Sequence, residues 1–217
     1  LAAVNTLYIV RRMPFSSTHD AIYCINPDCQ HRQNPDDLDC CQSCGTPLLV
    51  RDRYRLLVPL RPLDRQHPTE VFEIDDRGTR KVLKILTNDT PQFIEQFQIE
   101  ITPLQWLQHP GIPKADIDGE FTLTLAATGR SLRCLVMEKI EGQNLAQWIS
   151  KSGAVSPELA LNWLKQLIEI LDIVHNEGFF HRDIKPSNII LKPDGRLVLI
   201  DFGSVREITD TYLAKIR

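Results

Sequence analysis

The stretch His181-Arg182-Asp183-Ile184-Lys185-Pro186-Ser187-Asn188, followed thirteen residues after Asn188 by Asp201-Phe202-Gly203, constrains this chain more than any other feature. Between these polar loops lie an apolar run at 189–191, a turn former Pro193-Asp194-Gly195 and a second apolar run at 197–200. Two short apolar runs around such a turn read as a β-hairpin. The hairpin would carry an aspartate at each end. Phosphoryl transfer suits this arrangement, because it needs positioning and charge neutralisation more than covalent help. A carboxylate accepts the proton of the attacking hydroxyl, oxygen ligands hold a hard divalent cation, and a lysine neutralises developing charge.

These residues resemble the protein kinase family. The match is to its catalytic-loop pattern H-R-D-L-x-x-x-N, with isoleucine for leucine, followed by D-F-G at the usual spacing. The resemblance implies that Asp183 is the catalytic base and that Asn188 and Asp201 hold Mg²⁺ or Mn²⁺. It implies that Lys185 contacts the transferring phosphate, as in the Ser/Thr class. His181 and Phe202 would pack in the core beneath the loops.

Upstream segments agree with that order. Lys84 lies inside the apolar run 82–86; alone it reads as a solvent-facing strand residue, since strands alternate their faces. Ahead of the two loops it resembles the kinase lysine that grips the α- and β-phosphates of ATP. Phe93, Phe97, Glu100, Leu104 and Leu107 share one face of a helix expected over 91–108. A carboxylate inside an apolar stripe requires a cation, and Lys84 is the natural partner. Pro103 within this helix points to a kink, or to a restart capped by Thr102. The run 135–142 resembles the kinase hinge, with the backbones of Glu138 and Ile140 expected to read adenine and Met137 behind the pocket.

Two features depart from the pattern. The glycine-rich loop should lie between the first two strands, yet 60–70 contains no glycine and holds Pro62 and Pro68. Glycine lets backbone amides approach phosphates closely, so Arg61 or Arg65 would have to supply charge there instead. The resemblance also covers only 54–217, about two-thirds of an ordinary kinase domain. The fragment itself is therefore expected to be inactive and to expose helical core. Thr209 and Thr211 fall in the activation stretch, where the plainer reading is ordinary loop threonines.

Five of the six cysteines lie between Cys24 and Cys44. Cys24 and Cys29 form a C-x₄-C pair, and Cys41 and Cys44 a C-x₂-C pair. Four thiolates on two tight turns suit tetrahedral Zn²⁺, and so small a module needs the metal to fold. Cys40 in place of Cys41, or His31, are alternative ligands. The segment resembles the four-cysteine prefix of some cyanobacterial Ser/Thr kinases, which implies a regulatory protein partner. Cys134 sits among Leu132, Leu135 and Val136 as a core thiol.

The fold expected is α+β, a kinase-like β-rich N-lobe with an incomplete helical C-lobe behind a zinc-ribbon-like module. The divisions are 1–20 (disordered or non-native, Met13 being a candidate start), 21–50 for the zinc ribbon, 51–140 for the N-lobe and 141–217 for the partial C-lobe. Strands are expected at 54–60, 71–74, 82–86, 121–125 and 132–137, a hairpin turn at 75–78, and a helix over Pro157–Asn176. Ser156 caps that helix, Gly178 stops it, and Ala160, Leu164, Leu167, Leu171 and Val174 form its buried stripe. A net charge of −3 gives no excess of basic residues for nucleic acid or an anionic membrane. No apolar run reaches the ~20 residues of a membrane span, and a cytoplasmic location is expected, with an anchor elsewhere in a longer parent left open. The activity expected is transfer of the ATP γ-phosphate to protein serine or threonine; the alternative is a pseudokinase that binds partners through its prefix.

Overall fold

Arg77 and Gly78 both adopt left-handed backbone, with φ of 53° and 91°. That is the geometry of a two-residue hairpin turn, and it joins β5 (Thr69–Asp76) to β6 (Thr79–Leu86). Strict alternation along β5 turns Glu70, Phe72, Ile74 and Asp76 inward. The computed structural model describes residues 21–64 and 66–208. The readings made for 1–20, Arg65, Thr209 and Thr211 fall outside the described residues.

The remaining strands of this sheet are β1 (Ile22–Tyr23), β2 (Gln33–Asn34), β3 (Leu49–Val50), β4 (Tyr54–Pro59), β7 (Ala115–Thr124) and β8 (Ser131–Glu138). All pair antiparallel, in the order β2-β1-β4-β5-β6-β8-β7, with β3 also on β4. The cysteine-rich segment is thus continuous with the N-lobe sheet: Tyr23 lies opposite Leu56. The five expected strands are present: β5, β6 and β8 run longer than expected, β4 stops at Pro59 and β7 at Thr124, each one residue early, and β7 begins at Ala115 because a bulge between Ala115 and Glu120 extends its pairing with β8.

Helix α1 (Pro91–Trp106) runs through Pro103 and ends short of the expected Gln108. Pro103 has no amide to give the carbonyl of Ile99, but only three helical residues follow it, and its own carbonyl accepts the amide of Leu107 at 2.9 Å. The anticipated break at Thr102 is absent, and Phe97, Glu100, Ile101 and Leu104 are buried.

Beyond this sheet and α1 come β9 (Gln143–Asn144) and α2 (Leu145–Ser152). Asn144 and Gln147 form a reciprocal capping box, a short helix signal not used in the sequence reading. Helix α3 (Pro157–Asn176) has the expected Ser156 cap, and Gly178 just beyond it takes φ 84°. Its buried stripe is rotated from the expected one. Trp163, Ile170 and Val174 are buried, Leu167 and Leu171 are half-buried, and Ala160 and Leu164 are exposed. The helix is apolar on two faces, since Leu161 and Ile168 are exposed as well, so spacing alone does not select one. The bulkier face packs, with Trp163 edge-on to Trp148 at 5.1 Å. After β10 (Phe179–Phe180) the chain forms the hairpin β11 (Ile189–Leu191) and β12 (Leu197–Leu199), and β13 (Arg206–Glu207) returns to pair with β10. Among the described residues no helix is long and apolar enough to cross a membrane.

Candidate active site

Lys84 projects from β6 toward α1 because Val71, its neighbour across β5, and Leu135, across β8, fix the register. Its ammonium lies 2.7 Å from both carboxylate oxygens of Glu100 and 3.0 Å from Oδ1 of Asp201. Lys84 and Glu100 are buried. Burial disfavours the ammonium, but the two carboxylates outweigh it and raise the pKa of Lys84. Burial also pushes the Glu100 carboxyl up against the pull of Lys84. Asp201 is held down to about 2, chiefly by the charge of Lys84.

Asp201 follows β12 with φ 64°, a left-handed conformation that a short polar side chain tolerates. Phe202 behind it is fully buried and meets the His181 ring edge-on at 4.7 Å. His181 is buried; its Nε2 lies 3.3 Å from the Ile200 carbonyl, and its Nδ1 lies 3.3 Å from the Asp183 amide. Burial lowers the His181 pKa, so it serves as a neutral brace between the two loops.

Asp183 stands at the head of the other loop. Its Oδ2 accepts Lys185 Nζ at 2.7 Å and Asn188 Nδ2 at 2.8 Å. Asn188 Nδ2 also donates to the Asp183 carbonyl at 3.0 Å, which leaves its side-chain oxygen as the group to offer a cation. The Asn188 carbonyl accepts the Ile200 amide at 2.8 Å. Asn188 therefore ties the Asp183 loop to the residue preceding Asp201. An amide oxygen, as on Asn188, and a carboxylate, as on Asp201, are donors of the kind that suit a hard divalent cation.

Glu138 ends β8, and Ile140 lies two residues beyond it. The Glu138 amide donates to the Lys114 carbonyl at 2.8 Å, and its carboxylate accepts the Lys114 amide at 3.3 Å. Gly142 just beyond passes so close to β11 that an added Cβ would lie 2.3 Å from the Leu191 carbonyl oxygen. Lys139 bridges Glu73 and Glu141 at 3.1 and 2.8 Å. These contacts fix the strand end whose backbone was expected to face adenine.

In the prefix, the sulfurs of Cys24, Cys29, Cys41 and Cys44 all lie within 4.8 Å of one another. Cys24 and Cys44 are 3.5 Å apart, and Cys29 and Cys41 are 3.7 Å apart. Zinc–thiolate bonds of ~2.3 Å in a tetrahedron place sulfurs about 3.8 Å apart, so the donor set fits Zn²⁺. Burial works against a thiolate at Cys44, but hydrogen bonds from the Thr46 side chain and backbone bring its pKa down to about 6. The Asn34 amide donates to the Cys41 sulfur at 3.5 Å. Cys40 is exposed and outside the cluster. Cys134 is buried on β8, and burial raises its thiol to about 12.

Sequence reasoning missed Arg32. Its guanidinium clamps Glu70 with two 2.8 Å bonds, donates to the Cys24 carbonyl at 2.9 Å and lies 5.2 Å over Phe72. This joins the four-cysteine cluster to the first residues of β5.

The model of the protein kinase domain matches residues 70–216. This chain belongs to the protein kinase family. Among curated proteins it is 32% identical over 205 residues to a serine/threonine-protein kinase B of Synechocystis, covering 88% of this chain and 34% of the relative. That coverage necessarily reaches into the cysteine-rich segment. It is 35% identical over 144 residues to the serine/threonine-protein kinase PknA of Mycobacterium tuberculosis, covering 64% of this chain and 33% of the relative. It is 33% identical over 171 residues to a probable serine/threonine-protein kinase PknB of Corynebacterium glutamicum, covering 76% and 25%. The chain spans about a third of the length of the first of these kinase relatives.

Proposed function

We propose that the protein containing this chain is a serine/threonine kinase that transfers the γ-phosphate of ATP to protein hydroxyls. The observation that carries this reading is the Lys84 ammonium shared between Glu100 and Asp201, beside a loop in which Asn188 and Lys185 both hold Asp183. In this reading Lys84 binds the α- and β-phosphates, and the Glu138 carbonyl and Ile140 amide read the adenine edge. Asp201 and the Asn188 side-chain oxygen hold Mg²⁺ or Mn²⁺, which supplies charge neutralisation along the phosphates when bound. Asp183 accepts the proton of the substrate serine or threonine as its oxygen forms the bond to phosphorus. Lys185 then stands beside the phosphoryl oxygens, and ADP departs. The four-thiolate cluster holds a structural Zn²⁺, since four protein sulfurs leave no open position for catalysis. The proposed division of the chain is 21–50 for the thiolate module, 51–140 for the N-lobe and 141–217 for the part of the C-lobe carried here.

The test is phosphotransfer from labelled MgATP to a protein substrate by the complete protein, with Asp183→Asn as control. Losing the base is expected to lower the rate by a factor on the order of 10²–10⁴. Undiminished transfer by Asp183→Asn would exclude this role, and nucleotide binding without transfer in the wild type would favour a pseudokinase.

A further inference from the structure

The loop between β4 and β5 has no glycine, Pro62 and Pro68 in it have no amide, and two of its other amides are taken by the loop itself. The Asp64 carboxylate accepts the amides of Gln66 and His67 at 3.0 and 3.3 Å and contacts the His67 ring at 2.9 Å. Leu63 packs against the N-lobe core. Such a loop has few amides to offer phosphates.

Arg61 is differently placed. Its Nη2 donates across the base of the loop to the carbonyl and hydroxyl of Thr69. Both acceptors are neutral. Its Nε is buried without a hydrogen-bond partner, and among the described residues no carboxylate forms an ion pair with it. Burial lowers its pKa, while the charges of Asp201, Asp64, Glu100 and Glu70 act on it from a distance. Two of these, Asp201 and Glu100, are the carboxylates that hold Lys84. A partly desolvated guanidinium with an unused donor and only neutral anchors is costly unless an anion completes it.

We propose that Arg61 is a phosphate-binding residue, which supplies from its side chain the contact that backbone amides give in a glycine-rich loop. The ligand is the phosphate chain of a nucleoside triphosphate, held between Arg61 and Lys84. The inference rests on the kinase reading of this cleft. A planar guanidinium suits the role, because its fork can engage two phosphate oxygens while one nitrogen stays on Thr69. Pro62, next in sequence, restricts the backbone that presents it.

The experiment is calorimetric titration of the complete protein, wild type and Arg61→Ala, with MgATP and separately with adenosine. Loss of a charge-assisted contact is expected to weaken MgATP by about tenfold or more while adenosine affinity stays within about twofold. Arg61→Gln keeps a donor for Thr69 without the charge, and is expected to lose MgATP affinity to a similar degree. Equal losses for both ligands would show that Arg61 only supports the loop, and unchanged MgATP affinity would also overturn the proposal. Wild-type protein that binds neither ligand would overturn the nucleotide reading of the cleft, and the role of Arg61 with it.

Discussion

Replacing Lys84 with methionine tests the ionic centre without creating a cavity, because the methionine chain follows the lysine stem. In the wild type the ammonium serves two carboxylates, at 2.7 and 3.0 Å. The side chain of Glu100 is 3% exposed and that of Asp201 39%, so solvent relieves Asp201 and most of the cost falls on Glu100. Stranding one buried charge typically costs about 3–5 kcal/mol, and that is the loss expected for Lys84→Met near pH 7.5. The cost has a defined pH dependence. Burial already pushes the Glu100 carboxyl up, and without Lys84 the largest opposing charge is gone, leaving the weaker pull of Arg61. A carboxyl that prefers the neutral form in the folded state gains stability as pH falls. The wild type behaves oppositely at Asp201: stability from its depressed pKa is complete above the usual carboxylate range and is lost as pH falls toward about 2. Lys84 restrains that rise in the wild type and not in the variant, so the gap should narrow between about pH 7.5 and pH 5, by about 1.4 kcal/mol for each pKa unit that separates Glu100 in the two proteins. Urea denaturation of both proteins at the two pH values measures it. A gap below ~1 kcal/mol at the higher pH, or one indifferent to pH, would refute the reasoning.

Two further outcomes are expected. Metal analysis should find zinc in the purified protein and in Cys40→Ser, and its loss in Cys41→Ser; retention in Cys41→Ser would remove that residue from the ligand set. Arg32→Ala should destabilise the protein by about 3 kcal/mol in denaturant, because Glu70 is buried and loses both of its 2.8 Å bonds; adding Glu70→Gln should recover part of that loss, and no recovery would indicate that Arg32 acts only through Phe72 and Cys24.

The loops at 181–188 and 201–203 were legible because their residues are close in sequence and stand in the order of a family pattern. Asp183, Lys185 and Asn188 lie within one short loop, and the hairpin that carries them to Asp201 announces itself by its turn. The Lys84–Glu100 pair was legible for a different reason: a carboxylate in an apolar helical stripe demands a cation. The joining of the cysteine segment to the sheet was not legible. Strands β1 and β2 are two residues each, too short to show alternation, and their placement depends on a pairing between Tyr23 and Leu56. Arg32 and Glu70 are 38 residues apart with no periodic relation. On α3 the sequence offered two apolar faces, and only the packing of Trp163 against Trp148 chose between them.

The central claim is that Asp201 and the Asn188 side-chain oxygen serve one cation next to the nucleotide gripped by Lys84. A crystal structure of the complete protein with Mg²⁺ and a non-hydrolysable ATP analogue tests it most directly. Mg²⁺–oxygen distances of about 2.1 Å to both residues, with Lys84 on the phosphates, are predicted. A cation bound away from these two oxygens, or phosphates remote from Lys84, would contradict the account.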